Sequence, residues 1–340
     1  MKKLDYAKLF TKRKDGYYVA RWTVNGKRKC LYDKDPEKLY YKMELAKRPR
    51  PVTFGEMAEA WEDNHAQRVG YNTMEAYKAP LRNLCDRYGD LPLSDVSPQM
   101  IQALLAELGT QGYARRTVQM YRDIINMVYN HAIVNGKATV NPCSAVSVPR
   151  GLHTTRREMP SDEALRAVRE STGEMALFAK ICLYAGLRRG EVLALRYEDI
   201  DRQRGVIHVT KAVEYIGNDA HIKEPKTDAG KRDVALLSVL AKEIPQGSGY
   251  IFHMDDGRPL TKISIRKRWL RYCKDIGHDI TPHQLRHGYA TILFEAGVED
   301  KVAQELLGHS TIAVTRDIYT HIRQAKMKDT IAQLESFIGT

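Results

Sequence analysis

Three short segments gather the side chains best suited to chemistry. Ala185-Gly-Leu-Arg-Arg-Gly-Glu191 sets two arginines and a carboxylate just after a tight turn. Thr281-Pro-His-Gln-Leu-Arg-His287 spaces His283 and Arg286 three apart, so a helix carries both on one face. Leu307-Gly-His309 is followed ten residues later by Tyr319. Arginines paired in this way can clamp the oxygens of a phosphodiester through charge-assisted hydrogen bonds. Other chemistries fit poorly. Gly230-Lys231 is followed by Arg232 rather than Ser or Thr, and Pro225 replaces a leading glycine, so no nucleotide-binding P-loop is formed. His283 and His287 have zinc-protease spacing, but Gln284 stands where the general base must be. Each segment alone is weak evidence, because the chain has 19 tyrosines and 11 histidines.

Taken in order, with their spacing and flanking residues, the segments strongly resemble the tyrosine recombinase family of integrases, over residues 155–325. The resemblance implies a role for each residue. Arg188 matches the first catalytic arginine and Glu191 the acidic residue that orients its neighbours. Lys226, within Glu224-Pro-Lys-Thr-Asp-Ala-Gly-Lys-Arg-Asp-Val234, matches the lysine of a mobile hairpin between two strands. His283 and Arg286 match the H-x-x-R pair, His309 the second histidine, and Tyr319 the nucleophile. Glu191 also reads as an ordinary first-turn carboxylate. Lys223 and Lys231 compete with Lys226. His287 reads as structural or solvent-facing.

The chemistry is coherent with these roles. A phenol has a pKa of about 10, so Tyr319 needs a partner for its proton, and His283 can take it. The leaving 5′-oxygen needs a proton, which Lys226 can supply. Attack leaves a 3′-phosphotyrosine and a free 5′-hydroxyl. One ester replaces another, so no ATP, metal or other cofactor is expected. The resemblance further implies a homotetramer on two duplexes, exchange through a Holliday junction, and integration or excision of a mobile element. An excisionase and a host DNA-bending protein are further expected partners. Two other functions share the fold: a type IB topoisomerase and a non-catalytic DNA-binding regulator.

The remaining sequence must position these residues. The 340-residue chain suggests two or three domains. Its charge is uneven. Residues 1–50 hold 16 Lys and Arg against 6 Asp and Glu, a net +10 of the chain's +12. Such a basic module suits a polyanion. Residues 17–24 alternate, Asn25-Gly26 is a strong hairpin signal, and 27–32 form a second strand. Asp35-Pro36 opens a helix to about Lys47. Arg21, Lys27 and Lys29 are assigned to one sheet face, suited to a DNA groove. Residues 1–48 resemble the arm-site domains of temperate-phage and conjugative-element integrases.

Helical patterns follow over 52–145: a capping box at Thr53-Phe-Gly-Glu56, a helix from Asn72 with Pro80 inside it, one from Ser97-Pro98, and one over 114–134. This unit resembles the family's core-site DNA clamp. Asn141-Pro142 and Pro149-Arg-Gly151 read as a linker. The catalytic domain is expected over 155–340, with helices at 174–185, 261–276, 283–296, 299–307 and 311–319, and strands at 206–211 and 232–236. The expected class is therefore multidomain α+β: a small sheet with one helix, a four-helix unit, and a mainly helical domain with a small sheet. No run of about 18 apolar residues spans a membrane. Five scattered cysteines without a C-x-x-C pair fit reduced thiols in a bacterial cytosol.

Overall fold

The computed structural model describes residues 5–24, 26–47, 50–154, 159–224, 230–309, 311–316, 318–320 and 335–336. The chain divides into two compact units, 1–154 and 155–340. The class is α+β, mostly helical with small sheets. Among the described residues no helix is long and apolar enough to cross a membrane.

The first unit begins with an antiparallel sheet of β1 (Thr11–Lys12), β2 (Tyr18–Val24) and β3 (Lys27–Asp33). Gly26, at φ +74°, takes the left-handed turn conformation that the hairpin needs. Helix α1 (Pro36–Lys47) starts where the Asp35 carboxylate accepts the Glu37 and Lys38 amides. Lys42 of α1 pairs with Asp33 at 2.6 Å. Asp33 lies opposite Tyr18, in phase with Ala20 and Trp22, so α1 covers that face.

The register corrects the expected basic face. Lys29 lies opposite Trp22 and Lys27 opposite Val24, so both lysines, though exposed, are in phase with Asp33, on the side to which α1 is tied. Arg21 lies opposite Cys30, on the other face. Cross-strand partners share a face, and counting each strand separately cannot reveal that phase. That other face carries Arg21 with Arg28, Thr23 and Tyr32, all exposed, beside the buried Val19. Arg13 stacks its guanidinium 5.6 Å from the Tyr32 ring centroid.

The helical part of this unit comprises α2 (Phe54–Ala66), α3 (Tyr71–Tyr88), α4 (Pro98–Thr110) and α5 (Arg115–Val134). Thr53 and Glu56 form the expected capping box. Phe54, Leu84, Ile101, Ile124 and Tyr129 are fully buried where the apolar stripes meet. Residues 141–151, expected as a linker, are instead tied to this helical unit, as is His153 just beyond them. Arg122 donates to the carbonyls of Cys143 and Val146, Pro142 and Cys143 are buried, and the Arg115 amide donates to His153. Proline stops a helix, but it does not prevent an extended segment from packing.

The second unit is organised around α7 (Glu174–Tyr184), which is apolar on nearly every side and buried from Met175 to Leu183. Around it lie α6 (Asp162–Glu170), α9 (Ser238–Glu243), α10 (Lys262–Ile276) and α11 (Pro282–Glu295). The short α8 (Arg189–Ala194) follows the turn after α7. A three-stranded sheet joins β4 (Ile200–Asp201), β5 (Val206–Val209) and β8 (Arg232–Ala235). A separate hairpin pairs β6 (Ala212–Ile216) with β7 (Asp219–Lys223), two strands that the sequence pattern did not reveal. Helix α12 (Asp300–Leu307) ends at Gly308, and residues 312–316 and 318–320 are again helical.

Candidate active site

Arg188 is the N-cap of α8. Gly186, at φ +64°, turns the chain into it, and a Cβ there would lie 2.2 Å from the Tyr289 ring. The Glu191 carboxylate reaches back three residues. It accepts the Arg188 amide at 2.8 Å and the Arg188 guanidinium at 2.7 Å. It also accepts both terminal nitrogens of Arg232, at 3.1 and 3.0 Å. Arg286, from α11, lies 3.9 Å away. Glu191 is thus the hub of three arginines, not merely a first-turn carboxylate. Burial alone would raise its proton affinity, but the hydrogen bonds and charge of Arg232, then Arg188, hold it at about 2.

The C-terminal turn of α12 supplies the other partners. Arg232 donates Nε to the Leu306 carbonyl at 2.8 Å. Arg286 donates one nitrogen to the Leu307 carbonyl and another to Gly186, the latter at 2.5 Å. Arg188 donates to the Gly308 carbonyl at 2.5 Å. Gly308 itself is required. It ends the helix at φ +60°, and a Cβ there would meet the Arg232 guanidinium at about 2.9–3.1 Å. Arg286 is buried and Arg188 is 43% exposed along its side chain, so Arg188 offers the outermost donors.

His309 follows directly. Its Nδ1 lies 2.9 Å from the hydroxyl of Thr315, which is fully buried. Burial, then the charges of Arg286 and Arg188, lower its pKa to about 4, so the ring is neutral at pH 7. If the hydroxyl donates to Nδ1, Nε2 carries the proton and is a donor. Burial first, and the Arg188 charge second, also lower Arg286, to about 9, which leaves it charged at neutral pH. Three arginines, one carboxylate and a neutral histidine sum to an excess of positive charge in a partly buried place. An anion fits there.

His283 is exposed in the first turn of α11, capped by Thr281. Its ring meets that of His287 edge-on, with centroids 4.7 Å apart. Its neighbour His287 also lowers the proton affinity of His309, so its charge acts on the cluster.

Tyr319 is placed differently. It is 4% exposed, in an apolar seat of Tyr289, Ala290 and Leu293 from α11 and Ala303 and Leu307 from α12. The Phe294 ring meets it edge-on at 5.1 Å. Its hydroxyl has no hydrogen-bond partner among the described residues. Burial, then the Asp300 charge, raises its pKa. The hydroxyl is therefore not joined by hydrogen bonds to the arginine cluster. Lys226 lies outside the described residues, in the segment that leads from β7 to β8.

Two members of the cluster escaped sequence reasoning. Arg232 had a legible signal: strand alternation puts it in phase with Val234, which is fully buried. Thr315 had a weaker one, four residues before Tyr319 and so on the same helical face.

Comparison with known proteins agrees with this architecture. The model of the Phage integrase family matches residues 158–326, and that of the Phage integrase central domain matches 54–148. A tyrosine recombinase XerC-like protein of Caldanaerobacter subterraneus is 28% identical over 313 residues, covering 80% of each chain. A tyrosine recombinase of Thermosipho africanus is 27% identical, covering 79% of this chain and 95% of its own. Among solved structures, the Tn1549 transposon integrase bound to transposon right end DNA superposes with a TM-score of 0.67. That match has 22% identity and covers 82% of this chain and 99% of that one. A lambda integrase tetramer bound to a Holliday junction gives 0.61 at 21% identity, covering 89% and 95%. The fold is theirs. The two family models and the ordered motifs place this chain in the phage integrase family of tyrosine recombinases: it is a site-specific recombinase, an enzyme that breaks and rejoins DNA.

Proposed function

We propose that this recombinase is an integrase that moves a mobile element through a covalent 3′-phosphotyrosine intermediate. The observation that carries the chemistry is the cluster of Arg188, Arg286 and His309, which has more positive charge than its one carboxylate balances. In this reading Arg188 and Arg286 bind the non-bridging oxygens of the scissile phosphate, and His309 donates from Nε2. Such preorganised donors are each worth about 2.7–4 kcal/mol in rate. The Tyr319 oxygen attacks phosphorus and its proton passes to His283. The bond from phosphorus to the 5′-oxygen breaks, and Lys226 protonates that oxygen. The reverse attack by a 5′-hydroxyl rejoins the strand. Tyr319 is buried in an apolar seat, so in this reading its hydroxyl leaves that seat to reach the phosphate.

The domain roles belong to the same reading. Residues 52–145 grip the crossover site, 155–340 do the chemistry, and 1–48 bind arm DNA. The sheet face with Arg21 and Arg28 supports the last role better than Lys27 and Lys29 do. The assembly is a homotetramer on DNA, with an excisionase and a host bending protein as accessory partners and the bacterial cytosol as its place of action.

The test is a nicked suicide substrate, which traps the adduct because the cut fragment diffuses away. Wild-type protein should give an SDS-stable DNA adduct in EDTA without nucleotide. The Tyr319→Phe protein should bind the same DNA and give none. An adduct with the phenylalanine variant, or an absolute need for magnesium, overturns this mechanism.

A further inference from the structure

Arg232 can be assigned a task that the roles above leave open. Every described polar contact of its guanidinium is made inside the protein: Nε to Leu306, and the two terminal nitrogens to the two oxygens of Glu191. The side chain is 6% exposed. All three of its nitrogens already have acceptors within the protein, so it is assigned to positioning rather than to phosphate binding. Yet it joins two pieces that must agree. Through Glu191 it reaches both the amide and the guanidinium of Arg188. Through Leu306 it reaches the last turn of α12, from which Gly308 and His309 emerge. Gly308 is bare on the side where the guanidinium lies. Arg232 is also the first residue of β8, at the end of the segment that contains Lys226.

We propose that Arg232 is a positioning residue that sets Arg188 and His309 at a fixed separation around the scissile phosphate. The planar fork is essential to this task. Lysine keeps the charge but is a point donor on a flexible stem, and cannot hold both oxygens of Glu191 and a carbonyl together.

The inference rests on the proposed role of Arg188, so the experiment tests both. Single-turnover cleavage by the full chain is measured on two suicide substrates. One has an ordinary scissile phosphate; the other has a methylphosphonate, which lacks the negative charge the arginines neutralise. Arg188→Ala should lose at least 100-fold on the phosphate and much less on the methylphosphonate. Arg232→Met should show the same contrast, with DNA affinity within about threefold of wild type. Arg232→Lys should stay at least tenfold below wild type on the phosphate and show the contrast too. Equal losses on both substrates for the Arg232 variants mean general loosening and overturn the proposal. Full activity of Arg232→Lys means that charge alone matters, and overturns it as well. No contrast with Arg188→Ala overturns the phosphate-clamp reading instead. If Arg232→Met fails to fold, the lysine variant decides alone.

Discussion

The arginine cluster and the seat of Tyr319 share α11 and α12, yet they are built on opposite plans. In the cluster every arginine is tied to named acceptors, and Glu191 serves two of the three through hydrogen bonds. In the seat the contacts are apolar, and among the described residues the hydroxyl has no hydrogen-bond partner. Hydrogen-bonded charges in a low-dielectric place are stiff, because loosening one leaves another unpaired. An apolar seat is stabilising but indifferent to direction, so a side chain can leave it without stranding a charge. On the proposed mechanism, the half assigned to phosphate is thus fixed in advance, and the tyrosine assigned as nucleophile is the part left able to move.

The sharpest way to break this contrast is to cut the cluster. Arg286→Ala removes the donors to Leu307 and Gly186 together. Single-turnover cleavage should fall by about 10²–10³, measured on a suicide substrate. A loss under tenfold means the cluster is not the phosphate site. The seat should respond the other way. Leu293→Ala should lower unfolding stability by about 2–5 kcal/mol, as truncating a buried leucine does. Cleavage per folded molecule should not fall, since the mutation frees Tyr319 and relieves the burial that raises its pKa. Denaturant melts and cleavage rates on the same samples check both.

Acid sharpens the comparison further. His309 is held at about 4 in the folded protein, below its ordinary 6.5. As pH falls from 6.5 to 4 the unfolded chain takes up this proton and the folded one does not, so stability drops. One group contributes at most about 1.4 kcal/mol per pH unit. Glu191, held at about 2 against an ordinary 4.5, contributes stability above pH 4.5 that is lost between 4.5 and 2. His309→Gln should therefore flatten the upper part of the curve and leave the lower part. A curve unchanged by the substitution removes the histidine's role in it. The smallest effect belongs to the basic module. Arg28→Ala should reduce the slope of log affinity against log salt on arm DNA by about 0.9, the value for one phosphate contact. Lys29→Ala should leave it unchanged. The reverse result restores the lysine face.

Much of this was legible because helices announce themselves locally. Thr53, Ser97, Ser161 and Thr281 cap the helices they precede, and the spacing of His283 and Arg286 survives as one helical face. What stayed hidden depends on partners far away in sequence. Lys29 changes face because Trp22 lies opposite it. Arg232 matters because Leu306 is 74 residues on. Proline-rich 141–151 packs because Arg122 of α5 takes up its carbonyls. Nor could spacing tell that the hydroxyl of Tyr319 lies off the hydrogen-bonded network.

The end of α12 has one more consequence. Its last carbonyls, those of Leu306 and Leu307 with Gly308 after them, each receive a different arginine. A helix C-terminus carries roughly half a negative charge. On the proposed mechanism it stands in for the phosphate, and it keeps three mutually repelling cations gathered. If the cluster binds the scissile phosphate as proposed, Arg188 need only trade the Gly308 carbonyl oxygen for a phosphate oxygen of similar size and stronger charge. The site then exchanges one guest for another rather than assembling itself around its first.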